Sequence, residues 1–267
     1  MMNPSTARRI RFFKCLSVLF FCALYLTLTT SRLFNRSAAL STTQAQSKQA
    51  GAGGESESEE RFDSLVREDF FAGMMGDEAR LERGMKFCEE ILTKNPKHAE
   101  ALVWHGGGLL TRAAQAYTKG DDARGDQLWT RGLEEMNQAV AFEPDNMGVK
   151  IGRSATLIGL AQSGWDASDA HARTLLLSAL NDYDKVYEWQ KPFFHQLSMH
   201  SRGELLFGLA SGWSILGERE KATGYLRLIV KECKGSAYER EARHWLGLKP
   251  LPVVQHDCTG CHISPAD

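Results

Sequence analysis

Residues 206–229 read Leu-Phe-Gly-Leu-Ala-Ser-Gly-Trp-Ser-Ile-Leu-Gly-Glu-Arg-Glu-Lys-Ala-Thr-Gly-Tyr-Leu-Arg-Leu-Ile. Leu206, Leu209, Ala210 and Trp213 recur at helical spacing and define one face. Gly217-Glu218 then breaks the period, and Ala222, Leu226 and Ile229 resume it. The pattern predicts two helices joined by a tight turn. The small residues Ala210 and Ala222 sit where two such helices need to approach closely.

The same rhythm extends outward over residues 61–248. Leu65, Phe70, Phe71 and Met75 form one apolar stripe, and Met85, Phe87, Cys88, Ile91 and Leu92 form the next. That stripe ends at Asn95-Pro96, where proline cannot continue a helix and pushes its predecessor to extended backbone. Leu102, Val103, Leu109 and Leu110 mark a further helix, and Leu128, Leu133, Met136, Ala139 and Val140 another, ending at Glu143-Pro144-Asp145. A third hairpin is expected from Met147 to Trp189, turning near Ser163-Gly164-Trp165, and a last helix over Ala237 to Leu246. Alternating β-branched runs with Asn-Gly or Asp-Gly turns are absent, which argues against a sheet.

These residues resemble the tetratricopeptide (TPR) family. Its repeat of about 34 residues pairs a helix of W-x2-L-G-x2-Y type with one of A-x3-F type, followed by proline. Residues 206–229 match best. Phe71, Ala72, Met75, Gly84, Cys88 and Ile91 take equivalent places in the first hairpin, and Gly132, Met136 and Ala139 in the second. Pro96 and Pro144 are farther apart than one repeat, so an insertion is expected around Gln115 to Asp126. The resemblance implies an all-α solenoid of about four helical hairpins whose concave face binds a protein or peptide partner.

The N-terminus has a different character. Arg8, Arg9, Arg11 and Lys14 precede residues 15–31, which are apolar and carry no charge. A basic flank before an apolar core is the pattern of an export signal and keeps that flank in the cytoplasm. The core is near the short limit for a bilayer-spanning helix, about 17 residues. Residues 1–31 therefore read as a signal anchor or a cleaved signal peptide, the anchor being favoured because no A-x-A site follows at once. An Arg-rich mitochondrial presequence is the competing reading, and the unbroken apolar core argues against it. Residues 32–60, rich in Ser, Thr, Gln, Gly and Ala, read as a flexible linker. The expected location is the inner membrane, single-pass, with the body on the periplasmic side.

Residues 249–267 end the helical pattern. Lys249-Pro250-Leu251-Pro252 is a helix-breaking link, followed by His256-Asp257-Cys258-Thr259-Gly260-Cys261-His262. Two thiols three positions apart followed by an imidazole resemble the attachment signature of c-type cytochromes. The resemblance implies haem c, with Cys258 and Cys261 as thioether residues and His262 as the axial iron ligand. His244, His200, His195, His105 or a Met are candidates for the opposite ligand. In small c-type cytochromes the motif opens the domain, whereas here it stands in the tail. Two other chemistries remain open for it: a disulfide or redox dithiol, and a zinc site with His256 as fourth ligand.

The remaining features exclude other classes. A net charge of -1 gives no support for nucleic-acid binding, which needs a basic face against the phosphates. The six cysteines do not form a disulfide framework, since Cys15 and Cys22 lie in the apolar N-terminal segment and Cys88 and Cys233 at core-type helical positions. No nucleotide-binding glycine loop, nucleophile elbow or H-E-x-x-H pair occurs, and the chain is not expected to be an enzyme. Trp104-His105 with Gly106-Gly107-Gly108 is read as a helix packed closely on its neighbour. The function expected is electron transfer or haem-based sensing within a protein assembly. The alternative is an adaptor without haem.

Overall fold

The computed structural model describes residues 61–164 and 168–256, and among them the chain is all helical. Helix α1 (Phe62–Met74) pairs with α2 (Glu78–Lys94), and α3 (Ala99–Thr118) with α4 (Asp122–Phe142). Helix α5 (Met147–Gln162) pairs with α6 (Ala170–Gln190), and α7 (Met199–Ile215) with α8 (Arg219–Glu232). Helix α9 (Ala237–Gly247) packs on α8. A 3-10 segment, Lys191–Gln196, links α6 to α7 and buries Phe194. The odd-numbered helices also touch in succession, α1 on α3, α3 on α5 and α5 on α7.

Two kinds of turn recur, each with a local cause. Within hairpins the turn is a left-handed glycine followed by an acid: Gly76-Asp77, Gly120-Asp121 and Gly217-Glu218, with φ of 104°, 80° and 81° at the glycines. The residue after each glycine donates its N–H back to the helix just ended, Asp77 to the Ala72 carbonyl, Asp121 to Ala116 and Glu218 to Trp213. This satisfies carbonyls that the helix end would otherwise orphan. Asp77 and Asp121 then cap the next helix, accepting from the Arg80 and Arg124 N–H, each at 3.1 Å. Between hairpins the turn is set by proline. Asn95 and Glu143 are held off the helical region before Pro96 and Pro144. His98 Nδ1 and Asn146 Oδ1 cap the helices that follow.

The extra length between Pro96 and Pro144 is not a looped insertion. Gln115 to Thr118 continue α3, and α4 begins at Asp122, so the added residues lengthen two helices to 20 and 21 residues. The first apolar stripe is also displaced. Val66 and Phe70 are buried, whereas Leu65 and Met75 are 46% and 57% exposed. Neighbouring apolar residues at 65 and 66 left the face ambiguous until packing chose it.

The core runs continuously from Val66 in α1 to Ala242 in α9. Between α3 and α4, backbone meets backbone. A β-carbon at Gly106 would lie 2.7 Å from the Gly132 carbonyl oxygen, and one at Gly132 would lie 2.8 Å from that of Gly106. Backbone faces backbone, so neither side can yield. Gly159 in α5 has nothing within 4 Å of the same position. Gly132→Val is expected to destabilise the fold by roughly 3 kcal/mol or more. Gly159→Ala is expected to stabilise it by about 0.5–1 kcal/mol, because alanine costs less helix entropy. Urea unfolding followed by circular dichroism checks both signs.

Candidate functional site

Three polar clusters are built into the helical body. In the first, His105 on α3 is 1% exposed, and its Nδ1 lies 2.5 Å from Glu135 Oε2 on α4. Its Nε2 faces Glu89 Oε1 on α2 at 3.4 Å, and Arg131 Nε donates to Glu135 Oε1 at 2.8 Å. In the second, Asp182 on α6 is 1% exposed and accepts from Arg153 Nε and Nη2 on α5, at 2.8 and 2.5 Å. Lys150 Nζ stands 4.0 Å away, and Arg153 Nη1 reaches Asn137 Oδ1 on α4 at 3.0 Å. Both clusters join helices of the stack, and both satisfy charges that burial would otherwise penalise.

The third cluster involves the chain beyond α9. After Gly247 the chain crosses back over α7. Val254 is fully buried, and its N–H donates to Ser214 Oγ on α7 at 2.8 Å. Two residues later the His256 ring lies flat on Phe207, with centroids 4.3 Å apart and planes 9° from parallel. Its Nδ1 is 3.1 Å from both oxygens of Glu241 on α9, and its Nε2 is 3.1 Å from Glu204 Oε1 on α7. The Tyr238 hydroxyl donates to Glu204 at 2.7 Å and also meets His200 Nδ1 at 2.8 Å. Burial alone would lower the His256 pKa, but the hydrogen bonds to Glu204 and Glu241 outweigh it and raise it to about 9. His256 is therefore an imidazolium donating from both nitrogens.

This placement bears on the zinc alternative, which needed His256 as a fourth ligand. Both of its nitrogens are taken by carboxylates. Among the described residues, no group of three or more His, Cys, Asp or Glu is arranged to hold a metal ion. Of the histidines considered as a second haem ligand, His105 is buried against Glu135 and Glu89, while His195, His200 and His244 are exposed. Cys258, Cys261 and His262 lie outside the described residues, as do residues 15–31. Among the described residues no helix is long and apolar enough to cross a membrane.

Cys88 and Cys233 are buried free thiols, as their helical positions suggested. Burial, reinforced by the Glu135 and Glu89 charges, pushes the Cys88 thiol up to about 12, and burial also raises Cys233. A depression of about 460 Å3 between α6, α7 and α8 is lined by Asp184, Trp213, Lys221, Gly224, Tyr225 and Leu228. There Lys221 Nζ sits 3.8 Å over the Trp213 ring, and the Tyr225 hydroxyl donates to Asp184 at 2.8 Å.

Nothing in the sequence marks Ser214, Glu204 or Glu241, each of which lies 15 to 52 residues from the Val254 or His256 it contacts. The one legible trace is local: Tyr238 and Glu241 are three apart on one face of α9, and His200 and Glu204 four apart on α7. Comparison of the chain with protein-family models, with curated proteins and with solved structures finds no match.

Two outcomes follow from the protonation states. Native Cys88 and Cys233 should resist alkylation by iodoacetamide at pH 8 and react fully in urea, read by mass spectrometry of tryptic peptides. His256, with its folded pKa above the ordinary value of 6.5, stabilises the docked segment fully below pH 6.5 and loses that contribution as pH rises through about 9. Ring 15N chemical shifts of His256 between pH 6 and 10 check this. A midpoint near 6.5 would refute the double carboxylate clamp.

Proposed function

We propose that this chain is a membrane-tethered scaffold of the tetratricopeptide type carrying a covalently attached haem c on its C-terminal tail. The observation that carries the reading is the Cys258-x-x-Cys261-His262 run, which begins two residues after the clamped His256. Four hairpins in succession, with odd-numbered helices in contact, support the scaffold part. The glycine-acid turn inside three of them and the proline turn after two of them support it as well.

In this reading Cys258 and Cys261 form the thioethers, and His262 is the axial ligand. The donor set fits, since thiols and imidazole are the groups by which proteins hold haem c iron and porphyrin. The haem, when bound, supplies one-electron chemistry. His256 takes no part as a ligand, because its ring donates to Glu204 and Glu241. His105 is likewise occupied inside the core. Residues 15–31 serve as the membrane segment, placing the body in the periplasm. The concave face of the stack receives a protein or peptide partner, and the assembly acts in electron transfer or haem-based sensing rather than as an enzyme.

The test is expression of the full chain with a haem c maturation system. A pyridine haemochrome spectrum and haem staining of a denaturing gel should report covalent haem. The signal should vanish in Cys258→Ala with Cys261→Ala. An exported, folded chain without haem would overturn the reading and leave an adaptor whose terminal thiols serve another purpose.

A further inference from the structure

The C-terminal tail does not leave the body where the last helix ends. Helix α9 stops at Gly247, yet the chain returns across α7 and makes its deepest contacts seven and nine residues later. Val254 fills a core position, and its N–H is satisfied by Ser214 Oγ, which itself donates to the Ser211 carbonyl. Leu251 packs on the core edge. His256 then bridges α7 and α9 through Glu204 and Glu241 while its ring covers Phe207. Pro250 and Pro252 keep the intervening backbone extended and unable to coil into a further helical turn. Contacts of this kind are more than a passing tail needs. They combine an apolar anchor, a buried backbone hydrogen bond and a charge bridged between two carboxylates on different helices.

We propose that residues 251–256 are a strap that fixes where the C-terminal tail leaves the helical body, and that His256 is the positioning residue for the segment that follows it. The role rests on the reading above, in which that segment carries Cys258, Cys261 and His262. Chain geometry allows at most about 7 Å between the α-carbons of His256 and Cys258. A clamp at His256 would therefore keep the α-carbon of the first thiol within that reach of the clamp. Without the strap as a whole, the free chain would begin at Leu248, and the thiols would sample a larger volume. Attachment chemistry and any electron transfer through the tail both depend on that difference.

The experiment is hydrogen-deuterium exchange by mass spectrometry on the full chain in detergent, with peptides covering 250–256. The strap should be protected in the wild type. His256→Ala and, independently, Ser214→Ala should speed its exchange by at least about tenfold while α3 and α4 keep their protection. His256→Lys, which keeps a cation between the carboxylates, should recover part of it. The positioning role is read on the reduced, haem-free chain as the alkylation rates of Cys258 and Cys261, which should rise severalfold in His256→Ala. An unprotected strap in the wild type overturns the proposal. So do alkylation rates that ignore His256→Ala. Haem staining judges the haem reading separately: a protected strap with responsive thiols but no haem removes the cofactor and leaves the strap.

Discussion

At Gly106 and Gly132 the backbones of α3 and α4 come so close that no β-carbon fits between them, and the neighbouring helices take their places from that contact. Helix α3 also packs on α1, α2 and α5, so it is buried nearly all round. A β-carbon at Gly108 would collide with Met85 and Phe70, which shows the same closeness toward α2 and α1. Close approach maximises dispersion contacts between helices, but it leaves no tolerance for added volume. The glycine run beside Trp104 and His105 is thus a packing device.

Such a core contains polar groups that demand partners. His105 enters α3 at its most buried stretch and is matched from α4 by Glu135, which Arg131 holds in place. Asp182 is matched from α5 by Arg153 and Lys150. Removing one partner from such a pair leaves a buried charge uncompensated, so each pair discriminates strongly against misaligned helices. The strap follows the same rule on a smaller scale. His256 can be buried on Phe207 because two carboxylates accept from it.

Helical class, hairpin order and most turns were legible along the chain. Pro96, Pro144 and Gly217-Glu218 act through backbone sterics within a few residues, and the structure places turns at all three. The expected third hairpin and the final helix appear within a residue or two of their expected bounds. Two expectations failed. Gln115 to Asp126 exceed the length of one repeat yet only lengthen two helices, and the Leu65 stripe gives way to one through the adjacent Val66, about 100° round the helix. Periodicity states that a face exists, while packing decides which residues own it. The candidate site divides likewise. The Cys258, Cys261 and His262 spacing is readable as chemistry, but nothing in residues 249–256 announces that Val254 and His256 are anchored.

By itself, then, the sequence determined the local elements: helices from their apolar period, turns from glycine, proline and capping acids, and a thiol-imidazole motif from its spacing. Each of these depends on residues within a turn or two of one another. The tertiary structure alone decided the meeting of Gly106 with Gly132, the pairing of His105 with Glu135 and the docking of Val254 and His256 on α7 and α9. Those contacts join residues up to 52 positions apart, and no local preference of either partner encodes them. They arise when the helices pack, because only then does burial make an unpaired charge or a misplaced β-carbon costly.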